Sequence, residues 1–248
     1  RLPLGLRRAL AGGLTSLSPA AWNRLLKPIQ GLLPNSVAPA NMGDKLHKGA
    51  AVMAAATAAE LYGLLVSQWT DPAAVVIGGV EPPTVLTDAA QQPATDHFVH
   101  RMMALDTLSY LPDDILCKVD RAAMGVSLET RVPLLDHRVV EFAWSLPLDY
   151  KLRDGVSKWP LREVLYRHVP RELIERPKMG FGIPLDSWLR GPLRGWAEEL
   201  LDERRLRQEG YLHPVPIRQK WAEHLNGQRN WAPHLWCVLM FQAWLEQQ

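Results

Sequence analysis

The sequence predicts a mainly α-helical protein, and three observations predict it. Apolar residues recur at helical spacing through most of the chain, prolines and glycines punctuate those runs, and no series of alternating strand-like segments appears. With 248 residues, 47% of them apolar, the chain can bury a real core and sits between one domain and two.

From Arg1 to Gln30 two short amphipathic pieces, LPLGLRRALAGGL and PAAWNRLLKPIQGLL, are broken by Gly12-Gly13 and Pro28 and read as short helices. Asn35 to Met42 is a loop. DKLHKGAAVMAAATAAELYGLLVSQW then predicts one long helix with Asp44 as its N-cap, whose alanines would let a neighbouring helix approach closely. Asp71 to Thr95 is rich in Pro, Gly and Thr and reads as an irregular crossing, with a brief strand at Ala74 to Ile77.

A helix starting at Thr95-Asp96 puts Phe98, Met102, Leu105 and Leu108 on one face, and Pro112 suits the first turn of the next. After Pro133, DHRVVEFAWSLP gives another helix ended by Pro147. SKWPLREVLYRHVP gives one more, capped by Ser157, and PRELIERP makes a short helical turn. Three helices are expected from Gly191 to Gln248. The last, HLWCVLMFQAWLE, is too apolar all round to stand free in water. The chain thus divides into a variable helical and loop region (1–95), a motif-bearing core (96–190) and C-terminal helices (191–248).

Composition excludes some classes. Twenty-eight Lys and Arg against 26 Asp and Glu give a net charge of +2, no general reason to expect a nucleic-acid or membrane partner. Local surfaces must argue for themselves. Cys117 and Cys237 belong to no metal or redox motif and read as two buried thiols in a reducing, cytoplasmic setting. Neither a membrane-spanning run nor a signal peptide is apparent, although Arg1 to Gly13 is basic and apolar. His97 and His100 could share a metal from one helix face, but without a third ligand the ordinary reading as core or solvated histidines is stronger. Six tryptophans between Trp188 and Trp244 serve the core on the default reading, or mark a docking face.

The chemistry concentrates between Leu111 and Gly191. Asp113, Asp114, Lys118, Asp120, Arg121, Glu129, Arg131 and Asp136 stand among apolar residues, so many of them are expected to be buried and paired with one another. Asp114 and Lys118 have the favourable helical order of acid before base, and an Arg131–Asp136 pair would be structural. Downstream, Lys178 lies in KMGFG between Pro177 and Pro184. That glycine-hinged, cationic loop suits phosphate, whereas an unconstrained lysine would read as a solvated surface group.

LPDDILCKVDRAAMGVSLETRVPLLDHRVVEFAWSLP, KWPLREVL and RPKMGFGIPLDSWLRG, in that order, closely resemble the C-terminal half of the synthetase domain of glutamine-hydrolysing asparagine synthetases and their amidotransferase relatives. The resemblance covers about residues 106–193. It implies the helical portion of an ATP-pyrophosphatase-type α/β domain whose parallel-sheet core is largely absent from this chain. In that family a glutaminase releases ammonia, which attacks a β-aspartyl-AMP made from aspartate and ATP with Mg2+. The family's SGGxDS pyrophosphate loop and GxGxDExF segment are missing, and neither GDK at Gly43 nor IGGV at Ile77 replaces them.

By resemblance, Lys178 is the active-site lysine facing the ATP phosphates and Asp114 the catalytic acid, with Asp113 one residue away as the other alignment. Asp120, Arg121 and Gly180 line the site, and Glu129, Arg131 and Asp136 brace it. The chain is then expected to be a fragment, inactive and without tightly bound cofactor on its own, that leans on a glutaminase domain and a nucleotide-binding core. A homodimer is left open. A relative acting on a cell-surface sugar or a peptide precursor, and a non-catalytic helical interaction module, are the alternatives.

Overall fold

Helices dominate the computed structural model, which describes residues 2–30, 42–176 and 182–248. In chain order they begin with α1 (Leu4–Thr15), α2 (Pro19–Gln30), α3 (Met42–Ala54), α4 (Ala58–Val66) and α5 (Phe98–Leu105). A π-helix (Asp106–Leu116) leads into α6 (Cys117–Met124), α7 (His137–Ser145) and α8 (Leu148–Lys151). The hairpin β1 (Leu152–Arg153) and β2 (Val156–Ser157) precedes α9 (Trp159–Leu165) and α10 (Arg171–Ile174). Last come α11 (Leu185–Arg190), α12 (Arg194–Leu200), α13 (Glu203–Glu209), α14 (Pro214–Leu225) and α15 (Ala232–Leu245). The mainly α expectation holds. Contacts divide the chain into two units, residues 1–112 with 184–248, and residues 113–183.

The core lies in the first unit, where α15 supplies Leu235, Val238 and Leu239 at i, i+3 and i+4 to meet Leu189, Leu200, Leu206, Ile217 and Trp221. Burying each such side chain contributes about 1.5–3 kcal/mol. This is the docking that the all-round apolar sequence of α15 demands. Two buried polar groups tie the helices together. The Gln242 amide donates to the Glu209 carboxylate at 2.6 Å, and Nδ1 of His224 accepts from the backbone N–H of Trp231 at 3.3 Å. Trp69 joins the cluster by donating its indole N–H to the carbonyl of His234 at 3.1 Å.

Within the same unit, α1 and α2 pack on α3. Close approach is enforced at Gly43, where a Cβ would stand 2.0 Å from the carbonyl oxygen of Pro19, and Asn23 Oδ1 accepts from the Gly43 N–H at 2.7 Å. Ala50 and Ala11 are buried, as small residues at a helix contact should be.

Several local expectations are corrected. The long helix from Asp44 is two helices, α3 and α4. Thr57 caps α4 by accepting from the Glu60 N–H at 3.1 Å, and Glu60 reaches back to the Ala56 N–H at 2.7 Å. The pattern Thr57-x-x-Glu60 is a capping box, a signal present in the sequence. Asp44 therefore lies inside the first turn of α3 and is not its cap. The strand at Ala74 to Ile77 shrinks to a single antiparallel bridge, Val76 with Leu212. Four helices, not three, follow Gly191. The carboxylate of Asp202 separates α12 from α13 by accepting from the N–H groups of Arg204 and Arg205, both at 3.0 Å.

Pro112 is not at a helix start. The chain is helical from Phe98 to Met124, and Pro112 lies within the π-helix. Proline lacks an N–H, and its ring would collide with the carbonyl four residues back in an α-helix; a wider turn accommodates both. The hydroxyls of Thr107 and Ser109 also bond back to the carbonyls of Met103 and Leu105, at 2.8 and 2.7 Å.

In the second unit, no described residue between 113 and 183 is buried. Its elements hold together by local bonding. The β1–β2 hairpin turns at Asp154-Gly155, both with positive φ (50° and 79°), the conformation of a type I′ turn that Asp-Gly favours. Lys158, also with positive φ, precedes α9, so Ser157 belongs to β2 and does not cap that helix.

Candidate functional site

The described residues singled out in the charge-rich segment of the sequence fall in the second unit in two groups, and a third group joins them. Asp113 and Asp114 lie in the last turn of the π-helix, and Lys118, Asp120 and Arg121 follow on α6. Asp114 Oδ1 meets Lys118 Nζ at 3.0 Å, the acid-before-base pair expected from the spacing. Lys118 and Arg121 fall about 60° apart around α6, with Asp120 on the opposite side. The structure therefore joins Asp114 to Lys118 but not to Asp120. Asp120 and Arg121 form no ion pair among the described residues.

The expectation that these charges are buried is overturned. Asp113, Lys118, Asp120, Arg121, Glu129 and Arg131 are all exposed among the described residues. In water the Asp114–Lys118 pair contributes only about 0.2–0.5 kcal/mol. The second group corrects a pairing. Arg131 meets Glu129 at 2.6 Å, with its side chain 82% exposed, and does not meet Asp136.

Asp136 is already fully engaged. Its Oδ1 caps α7 by accepting from the Arg138 N–H at 2.9 Å, and the Arg138 guanidinium grips both oxygens at 2.9 and 2.8 Å. That guanidinium, then the backbone N–H, holds the Asp136 carboxyl below the usual carboxylate range. The cap was legible as a polar residue at the head of an apolar-periodic run; its arginine partner two residues on was not.

A third group was missed by the sequence reading. Arg162 on α9 donates to Glu175 Oε1 at 2.8 Å and to the carbonyl of Ser157 at 3.0 Å, and the Tyr166 hydroxyl donates to the same Glu175 oxygen. The tyrosine's hydrogen bond, with Arg162 beside it, holds Glu175 below its ordinary value. Arg171 lies over the Tyr166 ring at 4.3 Å. This clamp ties α9 to the residues just after α10. Arg162 and Tyr166 share the i, i+4 spacing of a helix face, but nothing in the sequence indicates that Glu175, beyond Pro170, returns to them.

Lys178 and Gly180, with the rest of residues 177–181, lie outside the described residues. Among the described residues no three His, Cys, Asp or Glu side chains form a group that could hold a metal ion. The rings of His97 and His100 stand 4.8 Å apart. Cys117 is half-buried and Cys237 exposed, against the expectation of two buried thiols. A surface hollow of about 510 Å³ is lined by Asp202, Glu203, Arg204, Arg207 and Arg218. Its cations are largely neutralised, Arg207 by Glu203 and Arg218 by Glu198.

With this geometry in place, comparison with known proteins is informative. The family model described as asparagine synthase matches residues 9–246. Asparagine synthetase [glutamine-hydrolyzing] 1 of Bacillus subtilis is 30% identical over 146 residues, covering 59% of this chain and 23% of that relative. The putative asparagine synthetase [glutamine-hydrolyzing] of Mycobacterium tuberculosis H37Rv is 36% identical over 148 residues, 59% of this chain and 22% of that relative. Asparagine synthetase [glutamine-hydrolyzing] of Bos taurus is 31% identical over 139 residues, 50% and 24% respectively. These matches span about a quarter of each relative's length. No solved structure matches the chain. The ordered motifs between Leu111 and Gly191 thus sit inside a match that runs through nearly the whole sequence, and the chain belongs to the asparagine synthase family.

Proposed function

We propose that this chain supplies one wall of the synthetase site in an enzyme that makes asparagine from aspartate, ATP and glutamine-derived ammonia. The observation that carries the reading is the family match across residues 9–246, which contains the whole motif-bearing segment. A carboxylate resists attack by ammonia because it is an anion with no leaving group. In the proposed reaction an aspartate oxygen attacks the α-phosphorus of ATP and pyrophosphate departs. Ammonia then attacks the acyl carbon of aspartyl-AMP and AMP departs.

Positioning and electrostatic stabilisation do most of the work in such a transfer. Lys178 is assigned the charge that accumulates on the departing pyrophosphate. Asp114, steadied by Lys118, is assigned the acid facing the site, with Asp120, Arg121 and Gly180 along its wall. Asp136, gripped by Arg138, is assigned the bracing of the link into α7, to which the exposed Glu129–Arg131 pair adds little. The described residues do not fit a Mg2+ cage, since no suitable trio of ligands comes together. The metal and most contacts to the nucleotide are therefore assigned to parts of the enzyme that this chain does not match. The exposed apolar side chains of the second unit, among them Phe142, Val126 and Leu128, fit a surface that such parts would cover.

In the full-length protein, Lys178→Ala is expected to lower asparagine synthesis about a hundredfold or more, the scale of losing one preorganised group from a transition state. Glutamine hydrolysis should be retained. Full synthesis by the variant would remove Lys178 from the chemistry.

A further inference from the structure

One carboxylate gathers three elements of the second unit. Glu175 stands just past α10, where its N–H donates to the Arg171 carbonyl at 2.8 Å, and its Oε1 takes both the Tyr166 hydroxyl and the Arg162 guanidinium from the α9 side. Arg162 is held in turn by the Ser157 carbonyl of β2, and Arg171 of α10 lies over the Tyr166 ring while meeting Glu163 at 3.6 Å. Each of these four side chains therefore has at least two partners.

Stability does not account for so much bracing. The Glu175 side chain is 50% exposed, and paired charges in water add little to folding. Place in the chain accounts for it better. Two residues, Arg176 and Pro177, separate Glu175 from Lys178, and the proline ring removes one backbone torsion from that link. A chain fixed at Glu175 reaches Lys178 with few torsions in between. An electrostatic group stabilises a transition state only from a preset position, and a displacement of about 1 Å can cost about a hundredfold in rate.

We propose that Tyr166 and Glu175 are positioning residues for the charge assigned to Lys178, with Arg162 as their brace: the clamp sets the point from which the chain departs toward that lysine. The inference rests on the role given to Lys178 in the proposed synthesis. Neither Tyr166 nor Glu175 is a catalytic group; both act through the lysine.

The test is a double-mutant cycle in the full-length protein. Tyr166→Phe keeps the ring under Arg171 and removes only the hydroxyl, and Glu175→Gln keeps the shape and removes the charge. Each alone is expected to lower kcat for asparagine synthesis about tenfold, with KM for aspartate, glutamine hydrolysis and melting temperature unchanged. In a Lys178→Ala background the same changes should cost nothing further, since the group that they position is gone. Full synthesis by Tyr166→Phe or Glu175→Gln, a loss that persists undiminished in the Lys178→Ala background, or a loss accompanied by a lower melting temperature would overturn the proposal. Full synthesis by Lys178→Ala would instead remove the reading beneath it, so that one variant tells the two failures apart.

Discussion

The helices from α11 to α15 and the stretch from Asp113 to Ile183 are built on opposite terms. The former bury Leu189, Leu200, Ile217, Trp221, Leu235 and Leu239 together; the latter buries no described residue, yet it holds nearly every chemical motif in the sequence. Charged side chains that stay in water make little core of their own. The difference shows that the motif-bearing unit draws its order from short-range bonds, among them the Asp136 cap, the Asp-Gly turn and the Glu175 clamp.

Truncation offers the strongest way to break this contrast. Trp221→Ala should cost about 3–5 kcal/mol in chemical denaturation, through lost burial and the cavity left behind. Phe142→Ala on α7, a change of similar chemical kind at a 64% exposed site, should stay within about 0.5 kcal/mol. Equal losses would mean that α7 is packed as tightly as the core.

Acid should weaken the α11–α15 region selectively. Burial, then the neighbouring Arg190 charge, pushes His224 down from 6.5 to about 4; burial, then Lys220, does the same for His234. Between those values the unfolded chain binds more protons than the folded one, so stability should fall as pH drops from 6.5 toward 4. For the fully buried His224 the upper bound is about 3 kcal/mol; His234, partly exposed, contributes less. Tryptophan fluorescence melts at pH 7 and pH 5 measure the effect. His224→Asn, which can still accept from the Trp231 N–H, should shrink the difference, and an unchanged difference would remove His224 as its source.

The smallest effect sharpens the contrast from the other side. Arg131→Ala should alter stability by less than about 0.5 kcal/mol, since it removes only an exposed pair with Glu129. A loss of several kcal/mol would restore Arg131 to a buried scaffold.

The sequence was most readable where one physical signal acted alone. The all-round apolar run of α15 could only be buried, and Pro147 ends α7 by forcing Leu146 into an extended conformation. Thr57-x-x-Glu60 and Asp154-Gly155 were equally legible, but the alanine-rich and helical patterns around them masked a break and a hairpin. At the candidate site the i, i+4 spacing found Asp114 with Lys118. Apolar neighbours suggested burial for these charges, and the structure leaves them wet, because periodicity records which face is apolar and not whether anything covers it. Glu175 joins Arg162 across a proline-bounded turn, a long-range meeting that spacing does not encode.

Gly43 has a consequence for how this chain can vary. Any side chain there would have to occupy the place of the Pro19 carbonyl oxygen, so α2 and α3 would be driven apart and the Asn23 bond to the Gly43 N–H lost. The connection between these two helices thus tolerates only a bare backbone at Gly43, and a chain without that glycine would need another route from its second helix to its third.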